Sequence, residues 1–167
     1  MNKSRGFTLI ELLVVIAIIG LLSTLAVVSL QSARQKSRDA KRLGDLAQLK
    51  TALEMYYNDQ AVYPTGATLE LGTGSDCGGN ACDTVSQTNG VAATTAGTVY
   101  MANIPQDPSQ PASECTSGAT ATCNYSYNQT DSGQGFDVWL YLESGTGNLN
   151  AGPTCLSENG FANTTCL

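Results

Sequence analysis

Hydrophobic positions fall into three regimes along this chain. The first is continuous: from Leu12 to Leu30, nineteen residues carry no charge. At 1.5 Å per residue they make a helix roughly 28 Å long, close to the hydrocarbon thickness of a bilayer. The run is apolar on every side, so it is not one face of a soluble helix. The second regime is periodic: Leu43, Leu46, Leu49 or Leu53, and Tyr56/Tyr57 recur at three- to four-residue spacing, the pattern of an amphipathic helix. No proline precedes Pro64, and Gly20 and Gly44 are isolated, so one helix is predicted from about Phe7 to Asn58. The third regime begins after Tyr63–Pro64 and reads as loops and short strands. Strands are predicted at 98–104, 123–129 and 136–143; in the last, Phe136, Val138, Leu140 and Leu142 alternate with polar or amphipathic residues, giving one core face. The segment 84–98 is poor in large apolar residues and is predicted as a surface loop. The fold class is therefore α+β, with a long N-terminal helix packed on a small antiparallel sheet of three or four strands.

Charge changes the picture. All eight Lys and Arg residues lie at or before Lys50, and net charge is -6. Everything beyond Lys50 is acidic or neutral, so this part is unsuited to gripping nucleic acid directly. Basic residues Arg34, Lys36, Arg38, Lys41 and Arg42 follow the apolar run. They read either as a solvated helix surface or as a stripe facing the acidic heads of neighbouring copies, with DNA or lipid headgroups as a further reading.

The six cysteines are Cys77, Cys82, Cys115, Cys123, Cys155 and Cys166. All follow the apolar segment, and their even number reads as a disulfide framework in an oxidising compartment. Sequential pairing is expected (Cys77–Cys82, Cys115–Cys123, Cys155–Cys166), since each pair brackets a short Gly/Ser/Thr/Asn-rich loop. Metal binding by cysteine is disfavoured, because the chain has no histidine and no C-x-x-C knuckle. Catalysis is not expected: there is no histidine base, no Gly-x-Ser-x-Gly elbow and no phosphate-cradling glycine loop.

Glu11 is the anomaly. A carboxylate at the edge of a spanning segment is costly and rarely kept without a partner. The run is also longer than the 7–15 apolar residues of an ordinary signal peptide. The string RGFTLIELLVVIAIIGLLS closely resembles the N-terminal signature of type IV prepilins and of the pseudopilins of type II secretion and competence systems. The resemblance implies cleavage after Gly6 by a membrane prepilin peptidase and methylation of the new N-terminal residue, Phe7. It makes 1–6 a leader, 7–58 the long helix (transmembrane over about 10–30) and 59–167 the disulfide-stapled head. It also implies the family's lollipop architecture and casts Glu11 as an assembly residue, neutralised by the Phe7 amine of a neighbouring copy.

The function implied by the resemblance is that of a structural subunit of a type IV pilus-like extracellular filament. A pseudopilin of a secretion or competence system is the alternative, and a membrane-anchored binding protein that never polymerises is the second. The implied partners are further copies, other pilins or pseudopilins, the prepilin peptidase, the inner-membrane assembly platform and the membrane itself. Charge on the two sides of the apolar run gives opposite topologies; the resemblance and the cysteines place the head outside a single-pass inner-membrane anchor, in an extracellular or periplasmic filament after assembly. Y-M-A-N-I-P-Q-D-P (100–108) resembles a pseudopilin step. No cofactor is expected; calcium, held by some family members, is the alternative, although Asp107, Glu114, Asp131, Asp137 and Glu158 form no recognisable calcium-loop pattern.

Overall fold

The computed structural model describes residues 7–72, 76–77, 79–111, 114–116, 118–119, 121–163 and 166. The predicted leader 1–6 lies outside them. The chain forms two compact units, one up to Gln35 and one from Lys36 onward. A single helix, α1 (Leu9–Gln60), runs through both. It is unbroken at Gly20, and it ends two residues beyond the predicted Asn58. Ala61 there takes a left-handed conformation (φ 58°), with its N–H donating to the Tyr57 carbonyl at 2.7 Å. From Leu9 to Leu30 every residue of α1 is exposed. This stretch is long and apolar enough to cross a membrane.

The unit from Lys36 contains the core. Leu46, Leu49 and Leu53 of α1 are fully buried, while Leu43, Tyr56 and Tyr57 pack partly against the same cluster. They meet Tyr127, Phe136, Val138, Leu140 and Leu142 from the sheet, and Tyr125 just before β5. The i, i+3, i+7 spacing of the leucines is what brings them to one face. Truncating any one of them to alanine would cost about 2–5 kcal/mol.

Among the described residues eight strands follow α1: β1 (Leu69–Glu70), β2 (Thr84–Ser86), β3 (Gly90–Ala92), β4 (Val99–Met101), β5 (Ser126–Thr130), β6 (Gly135–Leu142), β7 (Gly152–Ser157) and β8 (Gly160–Asn163). They make an antiparallel five-stranded sheet ordered β1-β5-β6-β7-β8 and a three-stranded sheet ordered β3-β2-β4. β6 buries Phe136, Val138, Leu140 and Leu142 and leaves the residues between them half-exposed, the predicted alternation.

Three expectations need correction. The sheet has more than three or four strands, because β7 and β8 form a hairpin where the sequence reads as a stapled loop. Thr154, Cys155, Leu156 and Ser157 of β7 are buried against β6. Segment 84–98 is a surface loop only over 93–98; residues 84–92 form a hairpin. β2 and β3 pair through Thr84↔Ala92, Val85↔Val91 and Ser86↔Gly90, with Thr84 to Ser86 all buried. The missed signal is Asn89–Gly90, a hairpin dipeptide whose glycine takes φ 65°. Finally, the strand at 98–104 shrinks to Val99–Met101; Ile104 is nevertheless buried.

Candidate functional site

At its N-terminal end α1 carries a reciprocal cap. Thr8 precedes the first helical residue, and its backbone N–H donates to the Glu11 carboxylate at 2.8 Å. The Thr8 hydroxyl donates to the same oxygen at 2.7 Å, and the Glu11 N–H donates back to the Thr8 hydroxyl at 3.3 Å. This is a capping box, in which threonine at the cap and glutamate three residues on satisfy each other's orphan donors. The signal was present in the sequence as Thr-x-x-Glu, and reading Glu11 only as a charge needing a cation missed it. Phe7 is 88% exposed beside this cap. Gly6 lies outside the described residues. Both members of the cap follow Gly6 in the chain, so removing residues 1–6 would leave it intact.

The second site is an ion cluster on the helix segment read from sequence as a basic surface. Arg42 is fully buried, and all five of its N–H groups are used. Nε donates to Asp107 Oδ2 at 2.6 Å and Nη2 to Asp107 Oδ1 at 3.0 Å, a bidentate grip. The remaining three reach Asp39 at 2.8 Å, Glu143 at 2.9 Å and the Ser109 hydroxyl at 2.7 Å. Asp39, one turn before Arg42, also accepts the backbone N–H of Glu143 at 2.9 Å and both the N–H and hydroxyl of Ser144 at 2.8 Å. Arg38 grips Glu143 with Nε at 2.7 Å and with Nη2. The helix is thereby tied to the Asp107 turn and to the end of β6 at one point.

Electrostatics agree with the contacts. Burial would push the Arg42 guanidinium down, but its hydrogen bonds to Asp107, Glu143 and Asp39 prevail and hold it above its ordinary value. Arg38, helped by Arg42 and opposed by burial, holds the Glu143 carboxyl below the usual carboxylate range. The reading of 34–42 as a solvated or neighbour-facing stripe is thus corrected for Arg38 and Arg42, which turn onto their own head. Arg34, Lys36 and Lys41 are exposed. No local sequence signal could have found this, since Asp107 and Glu143 lie 65 and 101 residues away from Arg42.

The cysteines pair as Cys77–Cys82, Cys115–Cys123 and Cys155–Cys166, with Cα separations of 5.3, 4.9 and 5.4 Å. Asp137 lies beside the last pair, its carboxylate within 4.8 Å of the two sulfurs. Those sulfurs are bonded to each other and offer no thiolate, which removes them as metal ligands. Asp131, Asp137 and Glu158 line one small cavity of about 170 Å³. Burial, then the charges of Glu158 and Asp131, push the Asp137 carboxyl up. Asp107 is spent on Arg42 and Glu114 stands apart, exposed, so three of the five acids of the calcium alternative, Asp131, Asp137 and Glu158, share a site.

Comparison with known proteins returns a family model, the prokaryotic N-terminal methylation motif, over residues 1–27. Type II secretion system core protein G of Escherichia coli (strain K12) is 45% identical over 64 residues, 38% of this chain and 44% of that protein. Its counterpart from Klebsiella pneumoniae is 45% identical over 65 residues, 39% and 46% of the two chains. The chain therefore spans less than half the length of these secretion relatives. Fimbrial protein Q of Moraxella bovis is 37% identical over 113 residues, 59% of this chain and 68% of that protein. No solved structure matches.

Proposed function

Because the chain belongs to the type IV prepilin and pseudopilin family, we propose that it is a structural subunit of a pilus-like filament, assembled through α1 after its leader is removed. The observation that carries this reading is the bare apolar half of α1. Large hydrophobic side chains from Leu9 to Leu30 stand 48–82% exposed, far more apolar surface than a soluble chain tolerates. Lipid covers it before assembly, and other copies cover it afterwards. The role is structural rather than enzymatic. The membrane holds the helix as a single pass, the head lies outside, and the filament is extracellular or periplasmic. Its partners are further copies, other pilins or pseudopilins, the prepilin peptidase and the inner-membrane assembly platform.

Similarity to a fimbrial protein over 113 residues reaches well beyond the N-terminal motif, which favours a true pilus. The second reading, a pseudopilin, is favoured by the 45% identity to secretion core protein G over 64 residues and by the Pro105–Pro108 step, whose Asp107 anchors the ion cluster.

Within the filament, Glu11 has two roles: it caps its own helix through Thr8, and it neutralises the Phe7 amine of a neighbour created by cleavage after Gly6. Two substitutions test the charge role. Glu11→Gln keeps a capping acceptor and removes the charge; Glu11→Leu removes both. Both variants are expected to accumulate in the membrane and to vanish from sheared filaments, and wild-type filaments are expected to start at methylated Phe7 by mass spectrometry. Wild-type filament yield from Glu11→Gln would refute the charge role. Absence of this chain from purified surface filaments would favour a non-polymerising anchor.

A further inference from the structure

An open groove of about 560 Å³ runs between the last turns of α1 and β4. Its floor carries Met55 and Val99, which are 52% and 44% exposed, and its walls carry Glu54, Asp59 and Tyr100. The Tyr100 hydroxyl donates to Asp59 at 2.6 Å, and that bond to a carboxylate holds the phenol up at about 12. Among the described residues Glu54 has one cation near it, Lys50 at 4.0 Å, besides the Tyr63 phenol, and Lys50 is already engaged with the Glu158 carbonyl at 2.7 Å. The groove is amphipathic and acidic, and none of the described residues of its own unit fills it.

The same unit carries two exposed cations that the ion cluster does not use, Lys36 and Lys41. Among the described residues Lys36 has no partner, and Lys41 has only the attraction of Asp45, one turn on. Helix geometry gives them a definite relation to the groove. At about 100° per residue, Lys36 and Glu54 are five whole turns apart and share one flank, while Lys41 and Asp59 share another flank roughly 140° round. Each flank therefore carries a lysine low and an acid high. Within one chain they cannot meet, since Lys41 lies about 20 Å below Glu54 and Lys36 about 35 Å below Asp59, beyond the reach of a lysine side chain.

We infer that this groove is the docking surface for a second copy of the chain, whose Lys36–Lys41 segment supplies the cations. Charge complementarity selects this occupant. No basic side chain occurs after Lys50, so a neighbour's head has nothing positive to offer and its helix segment does. A parallel neighbour displaced by about 20 Å along the helix sets its Lys41 against Glu54 across adjoining flanks; one displaced by about 35 Å sets Lys36 against Asp59. The surface rests on the filament reading, which supplies parallel, staggered copies. It adds to the Phe7–Glu11 contact a second register point outside the membrane, where salt screens it.

Zero-length carbodiimide coupling of intact wild-type filaments, read by peptide mass spectrometry, tests this without altering the protein. The expected products link Lys36 or Lys41 to Glu54 or Asp59, pairs too far apart to couple within a chain. Local Lys50–Glu54 and Lys41–Asp45 links are the internal control for reactivity. If those form and no long-range link does, the inference is overturned while the filament reading stands. If the wild-type chain forms no filaments, both fall together. In parallel, Lys36→Glu/Lys41→Glu is expected to raise the unassembled fraction roughly 2- to 30-fold, the equivalent of losing two exposed ion pairs. Lys41→Glu combined with Glu54→Lys is expected to recover part of that loss. All three side chains are exposed, so an unchanged melting temperature of the variants excludes misfolding, and wild-type assembly by the double lysine variant overturns the inference.

Discussion

Replacing Arg42 by methionine is the sharpest test of what holds the head to its helix. Methionine keeps an unbranched apolar stem and removes the charge together with five hydrogen bonds. The loss is unevenly distributed. Asp39 retains three donors from Glu143 and Ser144, but among the described residues Asp107 retains only the N–H and hydroxyl of Ser109. Both carboxylate side chains are 0% exposed, so water cannot replace the guanidinium. Breaking one partner out of a buried ion pair costs about 3–5 kcal/mol, because a buried charge is left uncompensated. Against a total of about 5–15 kcal/mol for a small domain, that should lower the melting temperature by roughly 10–20 °C. The assay is thermal unfolding of the full chain in detergent micelles, followed through Trp139, the single tryptophan. Arg38→Met is the control: its side chain is 34% exposed, and losing its pair should cost no more than about 1 kcal/mol. The double variant Arg42→Met/Asp107→Asn should be less unstable than the sum of its singles, because the asparagine removes the orphaned charge. If Arg42→Met and Arg38→Met shift the transition equally, by a few degrees, the cluster is not a buried tie between helix and head.

Other contacts carry their own expected outcomes. Because Arg38 holds the Glu143 carboxyl below its ordinary value of 4.5, the stability it contributes is full above that pH and is lost as pH falls through the lowered folded value; acid titration of Glu143→Gln should show a shallower loss than wild type. Gly145 takes φ 71°, and an added Cβ would meet the Leu149 carbonyl oxygen at 2.5 Å and the Ala151 nitrogen at 2.8 Å; Gly145→Ala should cost more than about 1–2 kcal/mol in urea unfolding. The Cys115/Cys123 double alanine variant opens a loop with a sequence separation of 8, expected to cost about 2–3 kcal/mol in the chain-entropy model and so to loosen the head rather than abolish it. Peptide mapping without reduction should recover the pair, and a linkage of Cys115 to another partner would contradict it.

Some of this protein was determined by its sequence alone, and the reason is range. An apolar run, a three- to four-residue leucine period and the alternation of β6 each depend on neighbours a few positions away, so Leu12–Leu30, Leu46/Leu49/Leu53 and Phe136–Leu142 could be read directly. The motif around Gly6, Phe7 and Glu11 is local in the same sense, although the Thr8 cap inside it was overlooked. The β2–β3 and β7–β8 hairpins were obscured because their strands are short and rich in Thr, Ser, Gly and Asn; their place is set by pairing with β4 and β6, not by their own hydrophobicity. The ion cluster was the least legible. Segregation of every cation before residue 51 made Arg38 and Arg42 look like surface charges. A charge becomes a buried tie only when counter-charges are delivered to it, and here they come from the Asp107 turn and from Glu143, just past β6. Only the tertiary structure brings those three segments together, and with them decides which cations are buried and which, like Lys36 and Lys41, stay exposed.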